Sequence, residues 1–373
     1  MRIPATLVRG GTSKCWLFSQ VHVPSLRSEL ERLLVGVYGA ADPVQLDGVG
    51  GATPTTSKAA VVGVSSHEGL DIDYLFAQVG IGTETVEWGS NCGNCATGVA
   101  LYAVAKGLVP ITGDLTRVAM RNVNTGAILE AVVDTAGGVV HEFGAQTVPG
   151  TRSGGVAVGL TFLEPAGRST GALLPTGAAA EPMEIAERSG TLCVSMVDAG
   201  APVVLVDAVS AGRTGAEPLE RVNADIPWLR GVRRTAASRM GLSKPGQDAG
   251  DAVPKAGLVG PPLPYTSTLG EHIAAEDYDI SVRMLSMNTP HPAIGLTSAV
   301  AVATTNLIDG SVVFAASAAP GRSSLRVGTP AGVVQVTCTD SASNGPRRVT
   351  VQRAARLLCD ATILVPDPRR AAA

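Results

Sequence analysis

The sequence predicts an α+β protein of two pseudo-symmetric domains, each a curled, mainly antiparallel β-sheet, barrel-like, wrapped around a central buried α-helix. Three observations carry this. First, short runs rich in Val, Ile, Leu and Thr are bounded by Gly, Pro, Asn and Asp, as in "SKAAVVGV", "GAILEAVV", "GGVAVGLTFL", "APVVLVDAV" and "GVVQVTCT". Such runs read as strands joined by turns, and they do not alternate regularly with helices of about 10–15 residues, which disfavours a doubly wound parallel sheet. Second, "CATGVALYAVAKGL" and "LTSAVAVATTNLI" are apolar around most of a helical circumference, the pattern of a helix buried on all sides. Third, a shift of 200 residues lays Thr97 on Thr297 and one of these helices on the other, so the two halves read as a repeat.

In chain order, "RGGTSK" (Arg9 to Lys14) lies between a short strand and the strand "CWLF". Ser25 to Tyr38 opens with a serine cap and sets Leu26, Leu30, Leu33, Leu34 and Val37 on one stripe, an amphipathic helix. "LDGVGGATPTTSKAAVV" is a Gly- and Thr-rich loop running into a strand. The first central helix starts at about residue 93 and the second at about residue 294, each followed by strands, with "NTGAILEA" and "TPAGVVQV" as counterparts. Pro175 to Glu184 dilutes the strand pattern and marks a boundary. The expected domains are therefore 1–178 and 179–373, the last residues returning to the first. Pro218 to Gly241 reads as a further helix, polar and basic enough for a surface excursion.

Composition narrows the function. The chain has 373 residues, a formal net charge of −3 and 3% aromatic residues. That supplies neither the basic footprint nor the stacking platforms of a nucleic-acid binder. No apolar run reaches the length of about 18 residues needed to span a bilayer, and the start lacks a signal-peptide core, so a soluble, cytoplasmic protein is expected. Six scattered cysteines read as reduced thiols rather than a disulfide scaffold. Small-molecule chemistry is the expectation, with no metal and no cofactor.

Four clusters bear on that chemistry. Cys92-Gly93-Asn94-Cys95 matches C-x-x-C, but no second paired motif completes a zinc set, and a dithiol oxidoreductase would need a βαβ setting. Two readings remain: small buried residues at a helix start, or an anion site made by the unpaired N–H groups of Gly93 and Asn94, with the Cys92 thiolate favoured by the same dipole. Lys58 precedes the strand "AAVVGV"; a lysine there is a solvated charge, or, if desolvated in a cleft, a base of lowered pKa. Gly11, Thr12 and Ser13 offer N–H and hydroxyl donors suited to a carboxylate. His291 precedes the second central helix, whose N-terminus is expected to face, with that of the first, a shared cleft.

Taken together, "RGGTSK", "ADPVQLDGVGGATPTTSKAAVV", "DIDYLFAQVGIGTETVEWGSNCGN", "RNVNTGAILEA", "VPGTRSGGVAVGLTFLEPAG", "LLPTG", "PKAGLVGPP" and "ISVRMLSMNTPHPAIGLTSAV" occur in order over residues 9 to about 302. In this the chain resembles the PrpF-like isomerases, which include 2-methylaconitate cis-trans isomerase, 4-oxalomesaconate tautomerase and 3-methylitaconate Δ-isomerase. The resemblance implies the diaminopimelate-epimerase-like fold and a cofactor-independent proton shift, a cis-trans or double-bond-moving isomerisation of an unsaturated di- or tricarboxylate. It implies Lys58 and Cys92 at the active cleft, with Gly11, Thr12, Ser13, Gly93, Asn94, Lys255, Arg283, Ser286, His291, Thr297 and Ser298 as substrate-binding candidates, and it admits a homodimer. Two departures stand out: Cys15 replaces the usual glycine after "GGTSK", and the 200-residue shift places Pro292 opposite Cys92. Two-thiol racemisation of an amino acid is thereby disfavoured against a lysine-centred shift, with a non-catalytic carboxylate-binding protein as the other alternative.

Overall fold

A computed structural model describes residues 1–89, 92–243, 253–342 and 345–365. Ser90 and Asn91 of the "SNCGN" segment, and residues 366–373, lie outside the described residues. The chain divides into two units, the first being residues 1–160 with the chain from Arg353 onward, the second Thr161–Gln352. The division thus falls ahead of the expected 178/179 boundary. The reason is local: the Leu173 carbonyl accepts from Asp198 N–H at 2.9 Å, and Gly177 N–H closes a turn on Leu174, so the Pro- and Gly-rich stretch is tied into the second unit rather than left as a linker.

Unit 1 contains β1 (Arg2–Gly10), β2 (Ser13–Ser19), α1 (Arg27–Tyr38), β3 (Lys58–Val64), β4 (Ile72–Val79), α2 (Gly93–Ala105), β5 (Leu115–Asn122), β6 (Ile128–Asp134) and the start of β7 (Val156–Leu163). Pairing is antiparallel for β1/β2, β3/β4 and β5/β6 and parallel for β2/β3 and β4/β5. Helix α2 packs against β1, β2, β3, β4, β5 and β6, so the sheet curls around it. Val99, Ala100, Leu101 and Ala103 are fully buried; each large apolar side chain so placed contributes about 1.5–3 kcal/mol. Small residues let the strands close in: a Cβ at Gly98 would lie 2.7 Å from Val8 Cγ2.

On the other face, α1 buries Leu30, Leu33, Leu34 and Val37 against Ile3, Trp16, Phe18 and Val79. Its N-cap is Leu26 without a side-chain cap bond, and Leu26 is 59% exposed, so the expected serine cap and the first member of the stripe are both corrected. Strands sandwiched between α1 and α2 are buried on both sides, which is why they read as continuous apolar runs rather than alternating ones.

Unit 2 contains β8 (Glu181–Ile185), β9 (Arg188–Ala199), β10 (Ala201–Asp207), α3 (Leu219–Arg239), β11 (Lys255–Gly260), β12 (Ile280–Ser286), α4 (Leu296–Thr305), α5 (Val312–Ala316), β13 (Ser324–Thr329), β14 (Gly332–Ala342) and the first half of β15 (Gly345–Leu364). The second half of β15 pairs antiparallel with β1 in unit 1. Along β9, β10, β11, β12, β13 and β14 the pairings run antiparallel, parallel, antiparallel, parallel, antiparallel, the order found from β1 to β6. Helix α4 takes the place of α2, packing on β9, β10, β13 and β14. Helix α3 is no surface excursion: Val222, Trp228, Leu229, Val232 and Ala236 are buried against Met183, Met196, Val204 and Leu258. Its polar composition hides that stripe because Asp225 and Arg233 are buried too, Asp225 on Arg213 at 2.6 Å. Among the described residues no helix is long and apolar enough to cross a membrane.

Candidate active site

In unit 1 the first turn of α2 meets the turn joining β1 to β2. A Cβ at Gly10 would lie 1.9 Å from the Asn94 carbonyl oxygen, and one at Gly11, whose φ is +53°, 2.1 Å from Asn94 Oδ1. Only glycine allows so close an approach, and at Gly11 only glycine adopts the backbone angle without strain. The turn is pinned from above by Asn94 Nδ2, which donates to Thr12 Oγ1 at 3.0 Å. Gly11, Thr12, Ser13, Gly93 and Asn94 are therefore neighbours at the positive end of a buried helix, whose first N–H groups have no intrahelical partner.

Lys58 opens β3 beside them. Its Nζ donates to Gln78 Oε1 at 2.6 Å and sits 5.1 Å from the Phe76 ring centroid. Gln78 cannot present its other end, because Gln78 Nε2 donates to the Ser57 carbonyl at 2.9 Å. Phe76 is fixed in turn by Asn124, which accepts from Phe76 N–H at 2.8 Å and donates to the carbonyls of Phe76 and Trp88 at 2.8 and 2.7 Å. Tyr38 at the end of α1 donates to the Lys58 carbonyl at 2.5 Å. Gln45 closes the loop ahead of Lys58, accepting from Ser57 Oγ at 2.6 Å and Ala52 N–H at 2.9 Å. The Gly- and Thr-rich segment thus serves to aim one lysine.

Three thiols surround that lysine. Cys92 is the N-cap of α2 and partly exposed, while Cys95 and Cys15 are buried; Cys95 hydrogen-bonds both of the others. The bond with Cys95, then burial, push the Cys92 thiol well above its ordinary 9.0, and burial does the same to Cys95. The expectation of a Cys92 thiolate is corrected accordingly: helix dipole and Lys58 are outweighed. Lys58 differs from expectation too. Burial draws its ammonium down, yet Cys92, Cys95, Cys15 and Glu87 act the other way and the net direction is above 10.5. At neutral pH the site therefore holds an ammonium beside the neutral thiols of Cys92 and Cys95.

Unit 2 carries the pseudo-symmetric arrangement. Lys255 opens β11 as Lys58 opens β3, and Gly295 caps α4 as Cys92 caps α2. The structural counterpart of Cys92 is thus Gly295 rather than Pro292, because the uniform 200-residue shift ignores unequal loops. A Cβ at Gly295 would lie 3.4 Å from Lys255 Nζ and 3.6 Å from Ser298 Oγ, so lysine, Ser298 and the helix start are neighbours, with Thr297 on the same first turn. The turn between β9 and β10 repeats the glycine contact: a Cβ at Gly200 would lie 3.2 Å from the Thr297 carbonyl.

Of the other candidates, Arg283 is 2% exposed and spends its donors on the carbonyls of Glu217, Val282 and Gly328 at 2.7, 2.9 and 3.3 Å, under Tyr265. Ser286 is exposed at the end of β12. His291 accepts from Ala293 N–H at Nδ1 and donates its own N–H to Met284. Among the described residues no group of three or more His, Cys, Asp or Glu side chains could hold a metal ion. Gln78, Asn124, Tyr38 and Gln45 were missed as supports of Lys58; the available signal was a polar residue within the apolar run "YLFAQV".

Comparison with known proteins identifies the family. The family model described as PrpF protein matches residues 1–366. The 2-methyl-aconitate isomerase of Shewanella oneidensis is 34% identical over 99% of this chain and 98% of its own length. The 4-oxalomesaconate tautomerase of Pseudomonas putida is 36% identical over 98% and 96%. Among solved structures, a methylitaconate-delta-isomerase superposes with a TM-score of 0.87 at 29% identity, covering 98% of this chain and 96% of that one.

Proposed function

The chain belongs to the PrpF family and is an isomerase, and from that premise we propose that it moves an allylic proton in an unsaturated di- or tricarboxylate, without a cofactor, using Lys58 as the base. The observation that carries this is the aimed lysine: Lys58 Nζ on Gln78 at 2.6 Å, beside the thiol-capped start of a buried helix. The acids named for the relatives are unsaturated polycarboxylates, in which a proton allylic to a conjugated carboxylate is weakly acidic.

In this mechanism the neutral amine of Lys58 takes the proton from the allylic carbon. The C–H electron pair becomes a new double bond, the old one shifts, and charge collects on the carboxylate as a dienolate. The resulting ammonium is its counter-charge, and the unpaired N–H groups of Gly93 and Asn94 with the Gly11-Thr12-Ser13 turn hold the oxygens where the charge develops. Cys92, a neutral thiol, returns a proton at the distal carbon, or at the same carbon after bond rotation, and regains one from Lys58. The resting ammonium means that only a small fraction of the enzyme holds the active base at neutral pH, so the rate carries a pH dependence set by Lys58.

Within unit 2, Lys255, Thr297 and Ser298 at the start of α4 repeat the donor arrangement of α2 and are assigned carboxylate binding in that unit, with Ser286 and His291. Arg283, whose donors are engaged by carbonyls, supports that unit's fold. Gly295 puts no thiol where α2 has Cys92, which leaves a two-thiol racemase without its second acid.

The test is a panel of unsaturated polycarboxylates and amino acids incubated with enzyme in deuterated water. Deuterium entering an unsaturated acid, and its loss in Lys58→Ala, is the expected result. Label at an amino-acid α-carbon, no label in any compound, or full exchange by Lys58→Ala would each overturn the assignment.

A further inference from the structure

Arg353 begins the part of β15 that belongs to unit 1. It is 3% exposed, and its Nε makes no hydrogen bond. Burial alone draws its guanidinium down to about 10, with no carboxylate acting against it. The Nε atoms of Arg233 and Arg356 are likewise unbonded, but Arg233 donates to the Met287 carbonyl, Arg283 is satisfied by three carbonyls, and Arg9, half-buried, donates to the Gly154 carbonyl at 2.8 Å. A guanidinium buried without an anion is destabilising, a cost that is relieved when an anionic ligand binds.

The register shows where Arg353 points. Gly10 pairs with Ala355 and Val8 with Leu357, and Gly11 N–H donates to the Ala354 carbonyl at 2.9 Å. Val8 meets Gly98 in the second turn of α2, and Gly10 meets Asn94 in the first. Strand alternation puts Leu357, Ala355 and Arg353 on this same α2-facing side. Going from Val8 to Gly10 runs toward the N-terminus of α2, so Arg353, about 6.5 Å further along its strand than Ala355, projects beyond the first turn. There the N–H groups of Gly93 and Asn94 lack intrahelical partners.

We propose that Arg353 is a carboxylate-recognition residue: its guanidinium fork takes one carboxylate of the polycarboxylate substrate together with the N–H groups that open α2. A planar fork gives two parallel bonds to such a group, which fixes its orientation as well as its charge. The inference rests on the substrate class proposed above, and it assigns to this cation the anion that the free protein does not supply.

The experiment uses the full chain and tricarballylate, a saturated tricarboxylate that cannot isomerise, in a thermal-shift titration, with steady-state kinetics on an unsaturated acid that wild type turns over. Wild type should be stabilised by tricarballylate. Arg353→Met should melt no lower than wild type without ligand, since it removes an uncompensated charge. It should lose the tricarballylate shift, with KM raised on the order of 100-fold and kcat changed by less than about threefold. Arg353→Lys, which keeps the charge without the fork, should recover part of the affinity; should the Met variant fail to fold, the Lys variant decides, with wild-type affinity counting against the proposal. A tricarballylate shift that survives in Arg353→Met overturns the role of Arg353 alone. No response in wild type overturns the substrate class on which it depends.

Discussion

Replacing Gln78 by leucine probes the electrostatics of the proposed base. Gln78 Oε1 accepts the 2.6 Å bond from Lys58 Nζ, and a hydrogen bond to a charged group stabilises that charge by about 1.5–3 kcal/mol. Only the ammonium benefits, so the bond is one of the forces holding Lys58 protonated, beside the neighbouring sulfurs and Glu87 that carry its net direction above 10.5. A group titrating above that value is neutral in less than about one molecule in a thousand at pH 7.5. In wild type, log(kcat/KM) should therefore rise with a slope near one from about pH 7 to pH 9.5, without a plateau. Leucine cannot accept, and at about 1.4 kcal/mol per pH unit the rising limb should move to lower pH by roughly one to two pH units. The assay is the pH profile of kcat/KM with deuterium exchange followed in parallel, so that proton abstraction is read apart from product release. A wild-type plateau below pH 9, or a limb in Gln78→Leu that stays or moves to higher pH, would refute the reasoning.

Four further outcomes follow. Lys58→Ala should lower isomerisation by on the order of a thousandfold, within the range for loss of a general base, while circular dichroism stays native. Cys92→Ala should lower kcat by about 100-fold if the neutral thiol returns the proton, with a smaller loss in Cys92→Ser; an unchanged kcat in both would remove Cys92 from the proton path. Gly10→Ala would place a Cβ 1.9 Å from the Asn94 carbonyl oxygen, and such overpacking should cost about 1–3 kcal/mol, read as a lower urea midpoint at unchanged m-value. Asn124→Ala removes the three bonds that hold Phe76 and Trp88 and should lower both melting temperature and kcat, with KM moved by less than about threefold.

Much of the fold was legible in the sequence because its cause is local. Two helices without a polar face can only be buried, and the strands around them, covered on both sides, appear as unbroken apolar runs such as "PVVLV" and "AAVV". The repeat was visible for the same reason. What misled was unequal loop length: a rigid 200-residue shift put Pro292 opposite Cys92, whereas the helix caps align Cys92 with Gly295. Helix α3 misled as well, since buried Asp225 and Arg233 look like surface residues until their partners are found.

For the site, the sequence by itself determined which residue types were available: a lysine at the head of a strand, a thiol before a buried helix, and a Gly-Gly turn fit to lie against that helix. Tertiary structure decided their states. Lys58 rests as an ammonium with Gln78 accepting from its Nζ and Glu87 acting to raise it, and the thiols of Cys92 and Cys95 stay neutral because they are buried beside one another. Arg353, near the far end of the chain, gave no signal in sequence, since nothing in "VQRAAR" indicates a charge without a partner. Protonation state and the pairing of charges depend on which groups lie within a few ångströms and how much water is excluded, quantities that long-range packing fixes and local sequence does not.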